Sequence, residues 1–416
     1  MKVFDTLSPA LRRNLLILFA AGLLFWAGLA AMLPTLPLYV ESVGADKHTV
    51  GIVIGAFALG LLPSRSWLAQ LADDRGRKLV LLIGMAVIAI APLGYMATES
   101  IPLLIGIRAF HGISIAAFAL AYNALVVDLS PPQNRGEVIG YMSLVNPVGM
   151  AIGPALGGFC HEWFGYTPMF LMTAGLGVIG LIFTAQVIAP PVMPYQANRT
   201  SNQPFWSLLG DARIRIPALI LLMIGLAFGT LSTFVPLFIR EAGVSLNIGL
   251  FYTAAAIASF SIRLIVGPLS DRYGRGGFIS ISLVLYALAM AILWQAQNET
   301  MFLMAAILEG MGAGILIPMM AALMADRSHP DERGRTFGVC MVGFDTGIAL
   351  AGPVLGAIAA DWGYRGLFGL SAALSFLGLL IFLTCASKTL PTSLRYALGQ
   401  GRDVYAVDLT IAQHLS

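Results

Sequence analysis

Asp345 and Glu309 are carboxylates in surroundings that disfavour charge. Asp345 lies in "GVCMVGFDTGIALAGP" and Glu309 in "AAILEGMGAG", runs otherwise free of ionisable side chains. Arg108 and His111 share that condition in "IPLLIGIRAFHGISIAAFALAYNALVV" (101–127). In a low-dielectric medium a carboxyl group favours its neutral form, so it can take up a proton near neutral pH. An imidazole titrates there without help. Proton binding and release is therefore the chemistry these residues suit. Hydrolytic or metal chemistry is not indicated: HExxH is absent, and the five histidines are scattered at 48, 111, 161, 329 and 414. Cys160, Cys340 and Cys385 show no CxxC spacing and read as small apolar packing residues. No cofactor is expected.

The elements that must hold these groups are set by composition. Only 11% of the 416 residues are charged, 58% are hydrophobic, and the mean hydropathy is +0.84. Soluble domains carry about 25% charged residues. The apolar residues fall into segments long enough to cross a ~30 Å hydrocarbon layer as helices, which takes about 20 residues each. "LVLLIGMAVIAIAPLGYMA" (79–97) is apolar all round, as a lipid-buried helix requires, rather than alternating like a barrel strand. The stretch 15–40 is too long for a signal peptide and reads as the first span.

Twelve spans are predicted, near 14–40, 48–71, 78–97, 101–127, 136–160, 166–189, 215–239, 247–269, 277–296, 300–325, 334–359 and 364–386. A Pro-, Asn- and Ser-rich linker (190–215) separates six spans (1–189) from six (216–386), and a polar tail (387–416) receives no assigned chemistry. On this register Asp345 lies 11 residues into the eleventh span, about 16 Å deep at 1.5 Å per residue. A charged side chain at a helix centre costs at least ~2.5–3.5 kcal/mol, so Asp345 and Glu309 mark function. Arg108 can also be read as an ion pair locking helices, and His111 as a packed histidine. Trp26, Tyr122, Asn123, Tyr141 and Asn146 are candidate cavity-lining groups.

With the N-terminus inside, 18 of the 24 Lys and Arg residues fall on the inner side, which predicts cytoplasmic termini. The halves also repeat at an offset of 198 or 199 residues: "LADDRGRK" (71–78) with "LSDRYGRG" (269–276), Arg65 with Arg263, and "DLSPPQNRG" (128–136) with "DRSHPDERG" (326–334). Glu309 is the repeat-mate of His111. Six spans per copy give a parallel repeat about an axis along the membrane normal. Arg65 and Arg263 read as anchors whose stems snorkel to the inner surface. Gly149, Gly153 and Gly157 lie four apart on one helical face that admits a close neighbour, and Pro154 bends that helix.

These motifs resemble the major facilitator superfamily over 14–386. "GPLSDRYGRG" (267–276) and "AQLADDRGRK" (69–78) are similar to its loop after the second span, with Asp74 standing where a base is usual. Arg108-x-x-x-Gly112 resembles its fourth-span pattern. "GMAIGPALGG" (149–158) and "GLAAMLPTLP" (28–37) resemble the twelve-span drug:proton antiporter branch. The resemblance implies an all-α membrane protein, two pseudo-symmetric six-helix bundles with both termini cytoplasmic, in a bacterial inner membrane. It implies a monomer that moves a small amphipathic or hydrophobic molecule outward by alternating access, driven by the proton gradient, with no nucleic-acid partner. Uptake of a sugar, organic acid or other metabolite by symport or uniport is the alternative. Asp345, Glu309, Arg108 and His111 are then the coupling and substrate groups. The cytoplasmic gate is expected from Asp73, Arg77, Asp128 and Arg135 in one half and Asp271, Arg275, Asp326 and Arg333 in the other. Asp73 and Asp271 would each cap the facing half.

Overall fold

The computed structural model describes residues 7–131, 134–190, 210–328, 333–401 and 403–407, apart from the side chains at 268, 271 and 333–335. Among the described residues there are helices and no strands. In chain order they are α1 (Pro9–Ala31), α2 (Leu36–Ser42), α3 (Lys47–Gly55), α4 (Phe57–Arg75), α5 (Arg77–Ala97), α6 (Ile101–Leu129), α7 (Arg135–Met142), α8 (Val145–Phe164) and α9 (Tyr166–Gln186). There follow α10 (Ala212–Glu241), α11 (Ile248–Tyr273), α12 (Arg275–Gln295), α13 (Glu299–Asp326), α14 (Arg333–Leu350), α15 (Gly356–Cys385) and α16 (Leu390–Ala397).

Local sequence sets where the helices begin. Asp46 accepts from the Thr49 N–H at 2.7 Å, and Asn298 from the Met301 N–H at 3.0 Å, so each caps the helix that follows. Asp211 caps α10 through the Arg213 N–H and also pairs with the Arg213 guanidinium at 2.7 Å. That side-chain bond holds the Asp211 carboxyl below its ordinary range.

Eleven helical stretches are long and apolar enough to cross a bilayer. The last, Thr336–Cys385, has 50 residues. At 1.5 Å per residue it would measure roughly 75 Å, more than twice the hydrocarbon layer. Gly363 breaks it with φ 66° and ψ 176°, so it holds two crossings. Within it the helix loosens to a π turn at Ala351–Leu355, around Pro353, as expected where a proline removes a backbone donor.

The chain packs as two compact units, Met1–Asn198 with Ser245–Ala256, and Arg199–Val244 with Ile257–Ser416. The repeat read from the sequence is present in the backbone: positive-φ glycines recur as Gly44 and Gly243, Gly76 and Gly274, and Gly165 and Gly363. Gly76 (φ 97°, ψ 151°) and Gly274 (φ 85°, ψ 165°) are the central turns of the two octapeptides. Each reverses the chain within one residue in a conformation essentially closed to side chains.

In the first unit α8 lies along α1. A Cβ on Gly149 would stand 2.5 Å from Trp26 Cβ, one on Gly153 2.8 Å from Ala30 Cβ, and one on Gly157 against the Ala31 carbonyl. The other edge of α8 receives residues 247–253: a Cβ on Gly158 would stand 2.6 Å from Asn247 Oδ1, and Thr253 Oγ1 donates to the Ala151 carbonyl at 2.8 Å. The second unit repeats the arrangement, with Gly343 and Gly347 of α14 against the Ala218 and Leu222 carbonyls of α10. Small-residue faces of this kind substitute close van der Waals contact for the hydrophobic drive that lipid does not supply.

Candidate functional site

Glu309 sits in the middle of α13, only 3% exposed. Its carboxylate is hydrogen-bonded by the side chain of Tyr286, from α12, which is itself 1% exposed. The second carboxylate oxygen, Oε1, is buried without a partner. Arg263 of α11 acts electrostatically on the same tyrosine, and its buried Nε likewise has no hydrogen-bond partner. A hydroxyl and an acid from consecutive spans thus meet inside the second unit, with Arg263 near enough to act on the tyrosine electrostatically. Arg263 is half-buried beside Tyr286 rather than purely a surface anchor, whereas its repeat-mate Arg65 is exposed.

The first unit holds the corresponding arrangement around His111, which is fully buried in α6. Tyr95 of α5, also fully buried, places its hydroxyl 3.2 Å from His111 Nδ1. Arg108 Nη1 lies 3.4 Å from the same nitrogen. A guanidinium only donates, so Nδ1 is the acceptor and the neutral imidazole carries its proton on Nε2. Nε2 has no partner. The Arg108 guanidinium covers the Phe57 ring at 4.5 Å. Histidine and glutamate at repeat-related positions are therefore each joined to a buried tyrosine on the preceding span.

Asp345 is half-buried in α14 of the second unit. Of the candidate lining groups, Tyr122 is 3% exposed and donates to the Met142 carbonyl at 3.0 Å, within a stack that includes Phe118 and Phe25. Trp26 packs edge-on against Phe25 and Phe118. Tyr141 and Asn146 are half-buried and Asn123 is exposed. Two cavities of the first unit are lined by other residues: one of ≈ 630 Å³ beside Arg12, Arg13 and Phe183, and one of ≈ 310 Å³ beside Tyr39, Glu99 and Tyr166.

At the octapeptide turns, Arg77 Nε meets Asp128 Oδ2 at 3.1 Å, and Arg275 Nε meets Asp326 Oδ2 at 3.5 Å. These two pairs are repeat-mates, each joining the turn to the end of a helix in its own unit. Asp73 and Arg135 are exposed. The side chains of Asp271 and Arg333 lie outside the described residues.

Buried titratable groups inside duplicated helical units fit a membrane carrier, and comparison with known proteins decides the family. The family model of the Major Facilitator Superfamily matches residues 18–279 and 246–399. The chain belongs to that superfamily. It is thus a transporter-family, multi-pass membrane protein and not an enzyme. It is 28% identical over 378 residues to "Multidrug resistance protein MdtG" of Salmonella choleraesuis, covering 87% of this chain and 92% of that one. It is 26% identical over 398 residues to the protein of the same name from Serratia proteamaculans, covering 92% and 96%. Among solved structures, the nucleoside transporter NupG aligns with a TM-score of 0.78 at 16% identity, over 89% of this chain and 99% of that one. A bacterial homologue of the lysosomal transporter Spinster aligns at 0.70 and 15% identity, over 95% and 98%. Both structural likenesses speak to the fold alone.

Tyr286 and Tyr95 are the residues of the candidate site that the sequence did not single out. In an apolar span a tyrosine reads as packing. The available signal was the burial of Glu309 and His111 themselves, because a buried polar group needs a hydrogen-bond partner.

Proposed function

We propose that this transporter exports small amphipathic or hydrophobic molecules across a bacterial inner membrane in exchange for protons. Two six-helix bundles, with both termini in the cytoplasm, alternate access to a substrate site between them. The observation that carries the reading is Glu309: a carboxyl group deep in a membrane span, bonded to Tyr286 and with one oxygen unpartnered. A proton can occupy the free oxygen. Protonation neutralises the group that Tyr286 bonds. Loss of the proton restores an anion that the tyrosine hydroxyl stabilises. A transporter that must bind substrate and proton in turn needs a group with both states within reach. Asp345 is the second candidate carboxylate, and His111 with Arg108 supplies a cationic counterpart in the first unit. The multidrug-resistance names of the relatives support outward transport of amphipathic compounds. The placement of 18 of 24 bases supports the orientation.

The test uses purified protein in liposomes loaded with ethidium and a lumenal pH dye. Antiport predicts that ethidium exit acidifies the lumen, and that an imposed gradient, acidic outside, accelerates exit. Exit without proton movement would contradict coupling. Lumenal alkalinisation during exit would instead identify symport.

A further inference from the structure

The described part of the C-terminal tail, up to Val407, is packed, because Arg327 is buried against it. Arg327 immediately follows Asp326 at the end of α13 and is 1% exposed. It donates to both carboxylate oxygens of Asp403, at 2.6 and 3.0 Å, to the Arg213 carbonyl at 2.8 Å and to the Ala386 carbonyl at 3.0 Å. Its guanidinium lies 5.0 Å over the Tyr405 ring. Asp403 is 8% exposed. The tail also bonds the gate residue directly: the Val407 N–H donates to the Asp326 carbonyl at 2.9 Å. On the far side of the turn, Ser280 of α12 donates to the Ala397 carbonyl at 2.7 Å, and Gly276 packs against the Tyr396 carbonyl. The tail therefore bridges the end of α13, which carries Asp326, to the start of α12, which carries Arg275.

We propose that the tail is a working part of the gate turn of the second unit, and that Asp403, acting through Arg327, is a positioning residue holding Asp326 against Arg275. An Arg275–Asp326 pair at 3.5 Å, with Asp326 46% exposed, is weak by itself. A buried, bidentate Arg327–Asp403 contact next to it fixes the backbone from which Asp326 extends. The first unit has no such clasp, because Leu129 stands where Arg327 does in the repeat. The two copies of the gate are thus held differently: Arg77–Asp128 by its own contacts, and Arg275–Asp326 by the tail as well.

The inference rests on the transporter reading but not on proton coupling. The test compares Asp403→Asn and Val407→Pro, each alone and combined with Asp326→Asn, in full-length reconstituted protein of verified monodispersity. Val407→Pro removes the N–H that bonds Asp326 without disturbing the buried charge pair, so it decides the matter if Asp403→Asn fails to fold. Asp403→Asn is expected to slow ethidium export about tenfold, and the further loss should vanish when Asp326 is already Asn. Val407→Pro should give a smaller loss with the same dependence. Losses equal in both backgrounds, or no loss, would overturn the proposal. Hydrogen exchange gives a readout independent of transport. In the same variants, amides at 275–280 and 324–328 should exchange at least tenfold faster. Acceleration confined to the tail itself would also overturn it.

Discussion

Gly157→Ala tests whether the α1–α8 contact is set by backbone approach. The added Cβ would lie against the Ala31 carbonyl oxygen, 2.6 Å from its carbon and 2.8 Å from Ala31 Cα. Real Cβ contacts are not found below 3.0 Å, and the obstructing atoms are backbone, so the helices must separate by roughly an ångström. A gap of that size forfeits a quarter to a half of the dispersion energy of the atoms facing it, and overpacking of this kind costs about 1–3 kcal/mol. The gain in helix propensity returns up to about 1 kcal/mol. The net expectation is a loss of roughly 1–2 kcal/mol and, for a chain of this length, a melting temperature lower by about 1–2 °C. Gly175→Ala is the control: nothing lies within 4 Å of its Cβ position, so the same propensity gain should leave stability unchanged or raised. Thermal unfolding of both variants in detergent, followed by the loss of the monodisperse peak, measures the difference. Equal melting temperatures would refute the close-approach argument.

Two further outcomes follow from the turns and caps. Gly76→Ala and Gly274→Ala should each destabilise by about 1–3 kcal/mol, because a side chain must be forced into a glycine conformation; thermal unfolding that ranks either with Gly175→Ala would contradict the turn assignment. The Asp211 carboxyl is held below its ordinary range by Arg213, so its stabilisation of α10 is full above the ordinary carboxylate pKa and is lost as pH falls through the lowered value. Between pH 7 and pH 3 the melting temperature of the natural protein should therefore fall more steeply than that of Asp211→Asn, and parallel curves would remove the cap from the account.

Much of the fold was legible because lipid imposes a simple code. A span must be apolar for about 20 residues, and a duplicated chain repeats its punctuation. Gly76 and Gly274 announced a shared turn in the sequence, and both adopt positive φ. The face of Gly149, Gly153 and Gly157 was readable from spacing alone, and it meets α1 along its length. Glu309 was conspicuous as a charge in an apolar run. What surrounds it was not, since Tyr286 lies on another helix and no periodicity links the two. The contacts of the tail were hidden for the same reason: Arg327 and Asp403 are 76 residues apart, and only the fold joins them. Arg263 looked like the twin of Arg65, yet in the second unit it is half-buried while Arg65 is exposed.

The central claim is that Glu309 carries the transported proton. Glu309→Gln keeps the shape of the side chain and removes the ionisable oxygen. In ethidium-loaded liposomes this variant should lose lumenal acidification during ethidium exit while still exchanging labelled for unlabelled ethidium across the membrane. Acidification at the natural rate in Glu309→Gln would contradict the account.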